Sequence, residues 1–154
     1  MNKRRLLKLA DLLERDARRK RGIQFNLNTW AAPSGAKLNF AGSEPSLDCN
    51  TNACAMGLAC LSGAFKRAGL SFFVRKSPGL KSFLIPTMPD PEWGTCGGFG
   101  AAAVLFKIGI DEAEFLFDPV EYPRKFWKGA IGERVVAKRI RKFVSDGGIK
   151  RVND

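Results

Sequence analysis

The chain has 154 residues, 45% of them hydrophobic, enough for one globular domain with its own core. Its formal net charge is +11 and it contains no histidine, so a Cys–His hydrolase is excluded by composition. No apolar run approaches the ~20 residues needed to cross a bilayer. Residues 6–13 are broken by Lys8 and Asp11, unlike the apolar stretch of a signal peptide. A reducing cytoplasm and no membrane partner are therefore expected.

The charge is unevenly placed. Residues 1–21 carry nine Lys/Arg against three acids, and residues 124–151 carry ten against two. Residues 22–123 carry seven against nine. Two basic ends on a nearly neutral body make a polyanion-binding face if they meet in space, and two solvated helix faces if they do not.

In chain order, residues 2–21 read as an amphipathic helix. Leu6, Leu9, Ala10, Leu13 and Ala17 recur at three- and four-residue spacing. Asp11–Arg15 and Glu14–Arg18 are four-apart pairs in the favourable order. Arg18, Arg19, Lys20 and Arg21 gather at the expected helix end, where cations suit the dipole, and Gly22 is the expected stop. Residues 23–27 alternate as a short half-buried strand does. Residues 31–47, with Pro33, Gly35, Gly42 and Pro45, read as a loop with a short strand near residues 38–40.

Asp48, Asn50, Thr51 and Asn52 are capping residues ahead of a small, apolar run, which predicts a central helix over residues 52–68 ending at Gly69. Gly57 lies inside it, and a close backbone neighbour would explain it. Cys54 and Cys60 read as small buried hydrophobes. Cys49, at or just before the helix start, is the thiol a helix dipole could activate, but no imidazole is present to serve it. The spacings from Cys49 to Cys54, Cys60 and Cys96 match no structural zinc pattern, so no metal and no cofactor are expected.

Residues 70–74 and 82–85 read as a hairpin around Pro78–Gly79, with Arg75, Lys76 and Lys81 near its tip. Such a mix of aromatic and basic residues is found on single-strand nucleic-acid platforms, and also in ordinary cores. Residues 86–91 read as a proline-rich loop. Thr95, Cys96 and the glycines that follow lead into a small-residue helix expected to pack on the central one through Gly57, Ala59, Cys60, Gly100, Ala101 or Ala103. Asp111, Glu112 and Glu114 suit the first turn of a short acidic helix ending by Asp118–Pro119. Phe126 and Trp127 sit in a loop between Lys125 and Lys128. The last helix spans residues 133–145, with Val136, Ile140, Phe143 and Val144 on one side and Arg134, Lys138, Arg141 and Lys142 on the other.

Taken together, residues 6–14, Phe25 to Trp30, and Cys49-Asn50-Thr51-Asn52-Ala53-Cys54-Ala55-Met56-Gly57-Leu58-Ala59 resemble an uncharacterised family of small phage and bacterial proteins. Its C-G-T-x-x-C-x-x-G-x-A segment falls on Cys49 to Ala59. Its G-F-x-A-A-A, E-A-x-x-L-F and V-A-x-R-I-R helices fall on residues 98–103, 112–117 and 136–141. Asn50 stands where that motif commonly has glycine, and Leu58 where it often has His or Trp, which weakens any thiol–imidazole chemistry. The resemblance implies a phage or prophage setting and a host cytoplasm, not an activity.

The expected architecture is α+β: one mostly helical domain over residues 1–154, with about five helices and a small antiparallel sheet. The expected function is that of a basic, non-enzymatic accessory protein. It contacts nucleic acid or a host nucleoprotein complex through Arg18, Arg19, Lys20, Arg21, Arg134, Lys138, Arg141 and Lys142. The alternatives are an inhibitor of a host system that binds an acidic host protein, and an enzyme with a site at the Cys49 and Cys96 helix starts.

Overall fold

A computed structural model describes residues 1–20, 23–33, 51–75, 83–92 and 94–149. Among these residues the fold is α+β, with five α-helices and one small sheet of six strands. The helices are α1 (Lys3–Asp16), α2 (Ala55–Leu61), α3 (Phe99–Phe106), α4 (Ile110–Phe117) and α5 (Gly129–Asp146). The strands are β1 (Gln24–Phe25), β2 (Ala31–Pro33), β3 (Thr51–Ala53), β4 (Ser71–Arg75), β5 (Phe83–Asp90) and β6 (Gly94–Gly97).

The order β1-β3-β2-β5-β4, with β6 added to the far half of β5, is mixed and not purely antiparallel. β1 runs parallel to β3, with Phe25 opposite Ala53, and every other pairing is antiparallel. The hairpin of β4 and β5 appears where expected, but β5 continues through the segment that reads as a proline loop. Pro86 faces Phe72 and Pro89 faces Thr95 within the ladders. The Pro86 carbonyl still accepts a bond, from the Gly98 amide at 2.9 Å.

The first and last helices form from the stripes read in the sequence. Asn2 caps α1, its Oδ1 accepting the Arg5 amide at 3.1 Å, and Leu6, Leu9, Ala10 and Leu13 are fully buried. The helix stops at Asp16, earlier than expected, because the chain must turn into β1. The Asp16 carboxylate then accepts the Ile23 amide at 3.1 Å. In α5, Val136, Ala137 and Ile140 are fully buried, and Gly147 ends the helix in the left-handed conformation. The helix begins at Gly129, four residues before the expected start. Gly132 there packs so tightly on the Phe25 ring and the Phe126 carbonyl that a side chain would collide with both.

The middle of the chain departs most from expectation. Thr51–Ala53 is a strand and not a cap, and α2 runs only seven residues before Gly63 turns the chain with φ 65°. Gly69 closes the following 3-10 turn. Gly57 has the close backbone neighbour anticipated for it, but the neighbour is the Trp30 carbonyl, which a Cβ would overlap. Accordingly α2 packs chiefly on α1 and β5, and α3 on α4 and β5. The anticipated strand at residues 38–40 and the segment holding Cys49 lie outside the described residues.

Candidate nucleic-acid interface

Helices α1 and α5 pack against each other. Asp16, at the end of α1, lies against Glu133, near the start of α5. Five residues earlier in α1, Asp11 meets Arg141, eight residues later in α5. The two helices are therefore antiparallel, and the C-terminal end of the first sits beside the N-terminal end of the last.

Arg141 ties the seam. Its Nε and one terminal nitrogen donate to the two Glu14 oxygens at 2.9 and 3.0 Å, and that terminal nitrogen also reaches Asp11 at 2.6 Å. This guanidinium holds the Glu14 carboxyl below the usual range, while the two acids raise the pKa of Arg141. The favourable pairs expected within α1 thus give way to pairs across the seam, because the facing helix brings a stronger donor.

The other nominated cations divide by partner. Lys142 donates to Asp146 at 2.6 Å, and Arg19 lies 3.6 Å from Asp16. Arg18, Lys20, Arg134 and Lys138 are exposed, and their side chains form no hydrogen bond or ion pair among the described residues. Arg21 lies outside the described residues. Arg134 precedes Arg141 by seven residues, two helical turns, so both belong to the same stripe. Arg18 follows Glu14 by four, with its amide bonded to the Arg15 carbonyl at 3.3 Å. The seam is consequently neutralised at Arg141, and toward the start of α5 its acids, Asp16 and Glu133, are buried beneath exposed cations.

That end carries further cations that the sequence reading counted but did not nominate. Arg124, Lys125 and Lys128 are exposed just ahead of α5. Lys128 is its N-cap, bridged to Asn26, and the Trp127 carbonyl accepts the Leu27 amide at 2.9 Å. The interleaved Lys125-Phe126-Trp127-Lys128 was the available signal. The aromatic hairpin contributes less: Phe72 packs against the core, Phe73 is exposed, and Lys76 and Lys81 lie outside the described residues.

The seam also buries an acid pair. Glu133 is 2% exposed, with Oε1 lacking a hydrogen-bond partner among the described residues. Burial first, then the charge and hydrogen bond of Asp16, push its carboxyl up to about 8.

Among the described residues the cysteines offer no activated thiol; Cys49 lies outside them. Cys54 is buried and its thiol is pushed up to about 11 by burial, while burial and then Cys54 push Cys60 up to about 12. Cys96 lies on β6, not at the start of α3, with Sγ 3.5 Å from the Met88 carbonyl. Its pKa is raised, by burial and then by Asp90. Among the described residues no group of three His, Cys, Asp or Glu is placed to hold a metal ion. No helix there is long and apolar enough to cross a membrane. Comparison with family models, curated proteins and solved structures finds no match.

Proposed function

We propose that this chain is a basic, non-enzymatic accessory protein that binds nucleic acid, free or within a host nucleoprotein complex, through the α1–α5 seam. One observation carries the reading: the antiparallel packing brings Arg18 and Lys20 to the half of α5 that presents Arg134 and Lys138. All four are exposed, and none forms a side-chain ion pair among the described residues. Cations left unpaired at a shared edge attract phosphates and release condensed counterions on contact. Arg141 acts as the clamp that holds the edge together, not as a phosphate ligand. The resemblance to small phage and bacterial proteins supports an accessory role beside host machinery. With no base-reading arrangement in α5, contacts to phosphate position the protein without selecting sequence.

The test is a titration of labelled DNA and RNA at several salt concentrations. Replacing Arg18, Lys20, Arg134 and Lys138 with Ala should lower the slope of log K against log salt by up to ~3.6 on duplex DNA and ~2.8 on single strands, if each meets one phosphate. Absence of binding by the wild-type protein at low salt would remove this reading. Salt-insensitive capture of one acidic host protein would favour an inhibitor in its place.

A further inference from the structure

A cleft of about 280 Å³ opens beside the start of α5, between the segment leaving β1, the start of α3 and the turn after α4. Its walls are aromatic: Trp30, Phe99 and Trp127, with Phe117 at the base. The rings are held from behind. Trp30 stands edge-on to Phe99 at 5.0 Å between centroids, and its backbone carbonyl accepts the Cys54 amide at 3.2 Å. Gly98, at φ 59°, comes so close to the Trp30 ring that a Cβ would lie 3.3 Å from it. The Trp127 indole donates to the Tyr122 carbonyl at 3.0 Å, so its polar edge is occupied, and Arg124 lies over its ring, so stacking uses the part of the ring that lines the cleft. Asp118 lines the cleft with one carboxylate oxygen held by the Val120 amide at 2.9 Å. Its second oxygen accepts no hydrogen bond among the described residues.

A preformed, mostly apolar concavity with a few polar groups is what a planar ligand requires, and the volume suits one ring system and not a run of several. The surroundings choose among planar ligands. Beside Asp118, the charged residue of the lining, the exposed cations Arg124, Lys125 and Lys128 flank Trp127 in the chain, and the Arg124 guanidinium already lies 5.7 Å from the centre of the Trp127 ring. Those cations repel a cationic guest and favour one that carries anionic groups beside its ring. Aromatic walls beside exposed cations are the elements of single-strand nucleic-acid binding, where a base stacks and the adjoining phosphates meet Lys and Arg. A base inside a duplex is already stacked and cannot enter.

We infer that the Trp30–Phe99–Trp127 cleft receives one unstacked base of a single-stranded nucleic acid, with the flanking phosphates on Arg124, Lys125 and Lys128. The Asp118 oxygen accepts from the N–H edge of that base. This inference rests on the polyanion reading above and adds a strand preference to it.

The test compares labelled oligothymidylate with an abasic oligomer of equal length and charge. The thymidylate should bind about 5- to 150-fold tighter, the effect of one stacked base. Trp127→Leu, checked by circular dichroism, should erase that ratio while leaving the abasic affinity within about twofold. In case the variant does not fold, photo-crosslinking of wild-type protein to a 5-iodouracil oligomer gives an independent reading, with adducts expected on Trp30, Phe99 or Trp127. Equal affinity for the two oligomers, or adducts confined to other residues, overturns the cleft and leaves the charged seam standing. Loss of binding to both oligomers, and to duplex, overturns the cleft and the seam together.

Discussion

Glu133 should make this protein's stability fall with rising pH, in a range where most proteins change little. Its carboxyl titrates near 4.5 in an exposed setting and is pushed up to about 8 beside Asp16. Between these values the folded chain holds a proton that the unfolded chain has released. Where the native state binds more protons, stability decreases with pH, by up to about 1.4 kcal/mol per unit for one group. The contribution is fully present below about 4.5 and lost as pH rises to about 8. From pH 5.5 to 7.5 the ceiling is thus on the order of 3 kcal/mol. For a domain of this size that corresponds to a fall in Tm of several degrees, on the order of 10 °C at most. Glu133→Gln keeps the shape and removes the ionisation, so its Tm should stay nearly level over the same range. The assay is thermal unfolding of both proteins in matched buffers at half-unit steps. The difference between the two curves isolates the Glu133–Asp16 pair, because Glu14, Arg141 and the other titrating groups are common to both. A flat difference from pH 5.5 to 7.5 would show that Glu133 ionises freely in the folded protein, and the buried-pair account would be wrong.

Other perturbations test the packing. Gly57→Ala should destabilise the fold by about 1–3 kcal/mol, because its new methyl overlaps the Trp30 carbonyl; calorimetry reads it directly. In the folded protein, iodoacetamide followed by peptide mass mapping should label Cys96 ahead of Cys60, with Cys54 modified only on unfolding, in line with their burial. Arg141→Ala should lower stability by about 1 kcal/mol at low salt and less at high salt, since the bridge it removes is partly exposed and screened. The Glu14 part of that difference should vanish in acid: its folded pKa is lowered, so its contribution is lost as the pH falls through the carboxylate range.

Periodicity carried the helices and the longest hairpin. The stripes of Leu6, Leu9 and Leu13 and of Val136, Ile140 and Val144 face the core as their spacing requires, and Ile110–Phe117 ends at Asp118 before Pro119. The failures have local causes. β2 and β3 are three residues each, made of small residues, too short to show alternation. Pro86 and Pro89 conceal a strand because proline lacks the donor a ladder ordinarily uses, and at Pro86 the Gly98 amide bonds to the carbonyl instead. Gly129 and Gly132 read as loop, although Gly132 is required for α5 to reach Phe25. At the site, exposure of the cations followed from the helical stripes, but their partners did not. Which acid meets Arg141 depends on the antiparallel contact between residues 127 and 130 positions apart, which no periodicity within one helix encodes.

The pairing across that contact also decides how much of the charge is available to a ligand. Bringing two basic helices together is unfavourable unless acids intervene, and here they intervene unevenly. Asp11 and Glu14 neutralise Arg141, and Asp146 neutralises Lys142, well along α5. Near its start the acids are Glu133, whose carboxyl is pushed up by burial and by Asp16 and so favours its neutral form, and Asp16, partly matched by Arg19. Both are buried, so Arg18, Lys20, Arg134 and the Arg124–Lys128 segment are the charges that face solvent near Trp127. Phosphate binding should then depend on which cations are changed and not on how many. Removing Arg141 and Lys142 should alter the salt slope by less than about one unit, since both already have partners, while removing Arg134 and Lys138 should alter it by up to about 1.8 on duplex DNA. Equal effects from the two double variants would mean that the internal pairs open on binding, and the division of the seam into clamp and contact would fail.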